Sequence, residues 1–484
     1  MHLQRVQVPD FRVLKDVNIT FEKDFNPRVF PLGSQNGGGK STLLQLIFVL
    51  LHCSTNPDRY FAIKNLLNNF TLREDEDKRV LAIIDIWDGE KTINLEFFIG
   101  GDAYLQKILN TEANIDSYPE TFFILQRAAD IQQRISGFTR DEEELKNIIE
   151  QFGYRQSETT PSRKFPDDLK KRLLDLGIDF DSMEIELSDP DSLSKINRHS
   201  KTRLLNHQKK LQEESQILSD RISKIIEYLK LEKTIYINYH FYNKVVSNEL
   251  EIEVLLCRIS NLETEKWQEF LNNLSNKIFL AAPSTQIFLF LSKAERNSLF
   301  TNKNMYQVGL IRANSFLSGL FTYDFLATDI LIKAFKNARD KDFKEALKTG
   351  KYGNNYKKLL QDLDFLLHDK QVNLMDDFSG LTFKLDRFKD SIELYPEDLS
   401  HGELKRLSVY VWLKYQNIED SIVLMDEVDL ALHPDWQYNI VSDLVEWVPN
   451  NQYILATHSY ELCQALTPSH VKVLEPKLTE RRSD

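Results

Sequence analysis

The chain has 484 residues, 42% of them hydrophobic, a formal net charge of −12 and a pI near 5.5. This is long enough for two or three domains with cores of their own, and its acidic field repels nucleic acid, so that only a local basic stripe could bind it. No apolar run reaches the roughly eighteen residues of a membrane span, Met1-His2-Leu3-Gln4-Arg5 lacks signal-peptide blocks, and Cys53, Cys257 and Cys463 are too scattered for a CxxC metal pair or a disulfide framework, so a cytoplasmic location is expected.

Taken in chain order, residues 3–8 and 17–21 alternate as strands do, and 29–32 form a short apolar run. Residues 42–51 are apolar nearly all round, which suits a helix buried beneath a sheet. The stretches 80–87 and 92–99 alternate about Asp88-Gly89, a strong hairpin signal. Farther on, Leu204, Leu211, Leu218 and Ile225 fall seven apart, with Ile222 and Leu229 in the intermediate seam. Ile252, Leu255, Ile259 and Leu262 suggest a returning helix near 249–277. The pair fits either two amphipathic helices packed on a domain or an antiparallel helical arm, and we expect the arm. Strands are expected at 286–291 and 307–311, a helix at 325–347 and a loop at 352–355. Residues 422–425 and 453–456 are short apolar runs, each ending in a polar cluster, as buried parallel strands end at a site.

The chemistry begins at Ser34-Gln35-Asn36-Gly37-Gly38-Gly39-Lys40-Ser41-Thr42. Three glycines let backbone N–H groups turn around phosphate oxygens; Lys40 brings charge to the β and γ phosphates, and Ser41 a hydroxyl to Mg²⁺. The strand before the loop and the helix after it are the context such a loop requires. Ser34 takes the slot five before Gly39, the usual glycine being shifted to Gly33, and a small residue still allows the turn. The acids at 426 and 427 close the 422–425 run, placing Asp426 to hold Mg²⁺ through water and Glu427 to act as general base on the attacking water. Ser400-His401-Gly402-Glu403 reads as a capping box whose helix start would offer N–H groups and the Ser400 hydroxyl to an anion. His458, in Thr457-His458-Ser459, could donate to a γ-phosphate or hold the attacking water. Gln126, closing residues 121–125, is expected to touch Mg²⁺ or that water.

Together these residues resemble the ABC-type ATPases, in the group that includes SMC, RecF and OLD proteins. The correspondence covers the phosphate loop from Asn36 to Thr42, the signature at 399–403, the acidic strand at 424–427, the D-loop at 428–432 and the switch His458, in order and spacing. It is specific over about 1–60 and 380–475. Departures are His401 at a usually small signature position and Val428 where proline is common. The resemblance implies ATP and Mg²⁺ as ligands and a head-to-tail homodimer or higher oligomer. Ser400 and Gly402 of one chain would face ATP held by Lys40 of the other, with Asp429 of the D-loop also at the nucleotide.

The expected fold is α/β, a P-loop head of mixed sheet and helices interrupted by a helical arm. Its domains would be an N-terminal lobe at 1–190, the arm at 191–280, a mixed α/β insert at 281–375 and a C-terminal lobe at 376–484. The chain is also similar to restriction-system-associated and phage-defence ATPases, such as the Septu and PARIS ATPase subunits, which pair with a separate effector, often a nuclease. Only 26 residues follow His458, so no fused C-terminal nuclease is expected. The alternative is a DNA-repair or chromosome-maintenance ATPase gripping duplex DNA, served by Arg198, Lys201, Arg203, Lys209 and Lys210, which otherwise form a plain solvated helix face. A transporter's ATPase subunit fits poorly, because such subunits carry no long arm between phosphate loop and signature.

Overall fold

The computed structural model describes residues 1–101, 144–150, 167–175, 192–242, 252–283 and 316–474, with 104, 131 and 285–286, apart from 36, 69, 74–75, 232, 324–326, 368, 376, 386–391 and 417. Asn36, Gln126, the strand expected at 307–311 and nearly all of that at 286–291 lie outside the described residues; Gln286 itself belongs to a short helical turn.

The chain divides into two compact units, one of Met1–Gly101, Lys233–Asn243 and Glu253–Asp484, the other of Asp102–Glu232 and Lys244–Ile252. The first begins with strands β1 (His2–Phe11), β2 (Leu14–Thr20) and β3 (Val29–Gly33), helices α1 (Lys40–Phe48) and α2 (Tyr60–Leu66), and strands β4 (Lys78–Trp87) and β5 (Thr92–Gly100). The second contains α3 (Asp167–Asp175) and the 40-residue α4 (Ser192–Leu231). After them come β6 (Thr234–Tyr242), β7 (Ile252–Ser260), α5 (Trp267–Ser275), β8 (Ile278–Ala282), β9 (Leu320–Thr322), α6 (Ala327–Thr349) and α7 (Asn355–Leu367). The rest comprises β10 (Lys370–Leu374), β11 (Leu381–Leu385), β12 (Ile392–Leu394), α8 (His401–Tyr415), β13 (Ile422–Asp426), α9 (Pro434–Trp447), β14 (Gln452–Thr457), α10 (Tyr460–Gln464) and β15 (Lys472–Val473).

Two six-stranded sheets organise the first unit. The antiparallel one runs β2-β1-β4-β5-β7-β6, and the parallel one β15-β3-β14-β13-β8-β9. In the parallel sheet both faces are covered, which is why its strands read as unbroken apolar runs. Phe30, Leu32, Ile422, Leu424, Ile454 and Ala456 point into a core shared with α1 and the antiparallel sheet. Their neighbours Val29, Val423, Met425, Tyr453 and Leu455 point the other way, into a core built by α6, α7, α8 and α9. Gln452 ties the two sheets: its side chain accepts from the Leu3 N–H at 2.7 Å and donates to the Leu3 carbonyl at 2.9 Å.

The second unit contains its own buried leucines and isoleucines. Leu145, Ile148, Leu169, Leu173, Ile196, Leu204 and Leu211 are buried, and Arg172 pairs with Glu144 at 2.6 Å. Of the heptad positions in α4, Leu204, Leu211 and Leu229 are buried, and the side chains of Leu218, Ile222 and Ile225 lie outside those described. The expected returning helix is not there: β7 occupies Ile252–Ser260, followed by a 3-10 turn and the short α5. Val254, Leu255, Leu256, Cys257 and Ile259 are all buried. A strand covered on both faces is apolar at nearly every position, and such a run contains helical spacings by coincidence.

Candidate active site

The site forms where β3, β14 and β13 end side by side. Register sets Gly33 opposite Thr457 and Ala456 opposite Asp426, so the phosphate loop, His458 and the acidic pair leave adjacent strands at one edge, where ligands bind in open parallel sheets. The loop turns on glycines in the left-handed region: Gly37 at φ 80° and Gly39 at φ 92°, the latter the N-cap of α1. A Cβ on Gly39 would come within 2.6 Å of the Leu14 side chain, so both the backbone conformation and the space demand glycine.

Lys40 is buried, and its ammonium spends its three protons inside the protein. They go to the Ser34 carbonyl and Ser34 Oγ, each at 3.2 Å, and to His458 Nε2 at 2.8 Å. Burial lowers its pKa, opposed by Asp426, Asp429 and Glu427. The side chains of Gln286 and Ser41 both hydrogen-bond to Asp426, and Gln45 in α1 holds Gln286 in place at 2.8 Å. Burial raises the Asp426 pKa against the pull of these bonds and of Lys40. Burial and then the adjacent Asp426 charge raise that of Glu427. Glu427 sits at φ 52°, an uncommon left-handed conformation for a non-glycine residue. Three bonds hold its backbone: its N–H donates to the Ala456 carbonyl at 3.0 Å, and its carbonyl accepts from Lys405 Nζ at 2.5 Å and from the Leu430 N–H at 3.2 Å.

The residues present fit a magnesium ion. Asp426 Oδ1 is buried without a hydrogen-bond partner, beside the Ser41 hydroxyl, both hard oxygen donors, while the Gln286 amide meets Asp426 through its nitrogen. No group of three His, Cys, Asp or Glu capable of holding a metal occurs among the described residues. The set therefore suits an ion that takes its other ligands from phosphate and water, as Mg²⁺ does.

The structure thus brings together Lys40, Ser41, Asp426, Glu427, Asp429 and His458, with Thr42 in the first turn of α1. Ser400 caps α8 as its capping box predicts, exchanging bonds with Glu403, which in turn pairs with Lys370 at 2.5 Å. Gly402 is buried, and a Cβ there would meet the Ala431 carbonyl at 2.8 Å and the Trp436 ring at 3.1 Å. Neither residue is joined to Lys40 by a contact among the described residues. Gln286 is the residue that sequence reasoning passed over. Its signal resembled that of Gln126: an apolar run, 278–282, followed four residues past its end by a polar side chain. Pairing of β8 beside β13 then selects it.

Residues 1–463 match the AAA ATPase domain family model. The chain belongs to the AAA ATPase domain family. Partial matches to curated proteins agree with the resemblance read from the motifs. The Retron Vc95 probable ATPase of Vibrio cholerae serotype O1 biovar El Tor is 47% identical over 54 residues, 11% of this chain and 10% of that protein. The Retron Ec83 probable ATPase of Escherichia coli is 43% identical over 55 residues, again 11% and 10%. Septu protein PtuA of Bacillus mycoides is 27% identical over 124 residues, 25% of this chain and 17% of that protein. The chain thus aligns with between a tenth and a sixth of the length of these relatives. Among solved structures, the Smc head domain with an extended coiled coil from Pyrococcus furiosus is similar at 12% identity and a TM-score of 0.30, over 96% of this chain and 91% of that one. Among the described residues, no helix is long and apolar enough to cross a membrane.

Proposed function

We propose that this chain is an ATPase of a cytoplasmic antiviral defence system, closes head-to-tail with a second copy on binding ATP, and thereby controls a separate effector such as a nuclease. The observation that carries the catalytic part is the meeting of Lys40, Asp426, Glu427 and His458 at the ends of three adjacent parallel strands. The names of the retron and Septu relatives support the defence role.

In this reading triphosphate oxygens replace Ser34 and His458 around Lys40, since a charged acceptor forms the stronger bond with an ammonium. His458, released from Lys40, turns to the γ-phosphate. Glu427, whose pKa burial already raises, takes the proton of the attacking water. Ser41 and Asp426, the latter positioned by Gln286, would hold Mg²⁺, which supplies positive charge against the phosphates. Ser400 and the start of α8 complete the site of the second copy. The first unit, which carries both six-stranded sheets, forms the head, and the inserted unit with α4 couples closure to the effector.

Three measurements test this. Lys40→Ala should lose ATP binding; calorimetry showing wild-type affinity would overturn the phosphate-loop assignment. Glu427→Gln should bind ATP, cease turnover and dimerise in saturating Mg-ATP by light scattering; a monomer there sinks closure by the heads alone. Purification from the native operon should bring a nuclease with the chain, and its absence removes the effector reading.

A further inference from the structure

We infer that the solvent face of α6 and the corner it makes with α7 are a binding surface for single-stranded nucleic acid, with phosphates on a lysine stripe and a base in an aromatic hollow. The first observation is charge. In a chain of net charge −12, residues 330–358 carry nine basic side chains and three acidic ones. On α6, Lys333, Lys336, Lys341, Lys344 and Lys348 are all exposed, while Leu331, Ala334, Phe335 and Ala338 are buried. At 100° per residue the five lysines share one arc of the helix, opposite the buried one. The stripe from Lys333 to Lys348 is about 22 Å long, the span of about six stacked nucleotides at ~3.4 Å each.

The acids in this segment do not cancel the stripe. Asp342 is buried and spent on structure. Its carboxylate accepts from the N–H groups of Asn355 and Tyr356, at 2.8 and 2.9 Å, and from the Asn355 side chain at 2.7 Å. Asp340 pairs with Arg339 at 2.8 Å. Glu345 alone is left at the edge of the face.

The second observation is a hollow of about 420 Å³ beside the middle of the stripe, lined by Arg339, Asp340, Asp342, Phe343, Tyr352 and Tyr356. Phe343 is 51% exposed and Tyr352 73%. Exposed rings cost free energy in water unless something stacks on them, and every base has a face to offer. The corner is held in shape: Asp342 caps α7, and a Cβ on Gly353 would meet the Asp342 backbone at 3.2 Å. Aromatic rings beside a row of lysines fit a strand with accessible bases better than an acidic protein, which would use the charges and leave the rings idle.

The test uses the full chain without ATP, so that failure of the nucleotide site and failure of this surface are separable. Binding of a labelled oligothymidylate is followed by anisotropy against salt. Wild type should bind with a steep salt dependence. Replacing Lys341, Lys344 and Lys348 together by Gln should weaken binding at least tenfold and flatten the log–log salt slope by about 2, at roughly 0.7 per phosphate contact for single strands. Tyr352→Ala should weaken it about five- to a hundredfold, the equivalent of one lost base stack, and leave the slope unchanged. Basal ATP hydrolysis and circular dichroism should match wild type in both variants. Wild-type affinity in the triple variant overturns the assignment, as does failure of wild type to bind the oligonucleotide at low salt. Equal capture of polyglutamate with the same sensitivity to the variants overturns it in favour of an acidic protein partner.

Discussion

Lys405 carries the most consequence for a residue that no motif names. It lies in the second turn of α8, and its ammonium donates to the carbonyls of Glu427 and Leu430 at 2.5 and 2.9 Å while facing the Tyr323 ring. It therefore connects α8 to the left-handed turn that aims Glu427, the proposed general base. Lys405→Met keeps the packing and removes the donor, leaving the Leu430 carbonyl short of a bond at a cost of about 1–3 kcal/mol, while the Glu427 carbonyl keeps only the Leu430 N–H. We expect nucleotide affinity to stay within about twofold and single-turnover hydrolysis to fall by tenfold or more, since a small misplacement of a catalytic group costs about that much. Unchanged single-turnover kinetics would show that Glu427 holds its conformation unaided. Lys40 could be read from the chain because it closes a glycine-rich loop, and Asp426 and Glu427 because they end an apolar run. Gln286 could not be picked out from the chain, because only strand order says which run ends beside Asp426.

The capping box at Ser400 was legible among the elements because its partners are three residues apart, and both reciprocal bonds form. The cap of α7 was not, because its acceptor, Asp342, lies in the preceding helix thirteen residues before Asn355. Asp342→Ala should release the first turn of α7 at a cost of about 1–2 kcal/mol, in the range of a lost N-cap. Hydrogen exchange at Asn355 and Tyr356 should quicken by about tenfold, the ratio that 1.4 kcal/mol represents, with α8 protected as before. Unchanged exchange would mean that packing of Leu359 and Leu363 holds the helix without the cap. The misreading of β7 is the same problem in another form: period is informative only when one face is wet, and β7 is covered on both.

At the scale of the whole molecule, two buried histidines make the fold sensitive to acid. Burial lowers His2 and His52 to about 4, against 6.5 for the free side chain. His52 Nδ1–H donates to the Ser275 carbonyl at 2.7 Å, its ring stacks on Phe48, and Arg59 beside it further disfavours a second proton. Above pH 6.5 both folded and unfolded histidines are neutral and the contribution to stability is complete. As pH falls from 6.5 towards 4 the unfolded chain takes up protons that the folded one refuses, so stability is lost at up to about 1.4 kcal/mol per pH unit for each histidine. Asp426 and Glu427 act in the opposite sense, since burial raises theirs. The histidine part is therefore read as a difference. His52→Gln should reduce the loss of urea resistance between pH 6.5 and 4 relative to wild type, whatever it does to the value at pH 7. Parallel curves for the two proteins would dismiss the role of His52.

What the sequence by itself determined is local: the phosphate loop, the acidic strand end, the capping box and the hairpin at Asp88-Gly89 each need only neighbours in the chain. The tertiary structure alone decided which strands lie side by side, and so that Gln286 meets Asp426, that Lys405 reaches the Glu427 carbonyl across 22 residues, and that Lys40 holds His458 across 418. The physical reason is that hydrogen bonds within a turn are encoded by spacing. Strand order and side-chain reach are instead set by how two apolar faces of one parallel sheet find their covers.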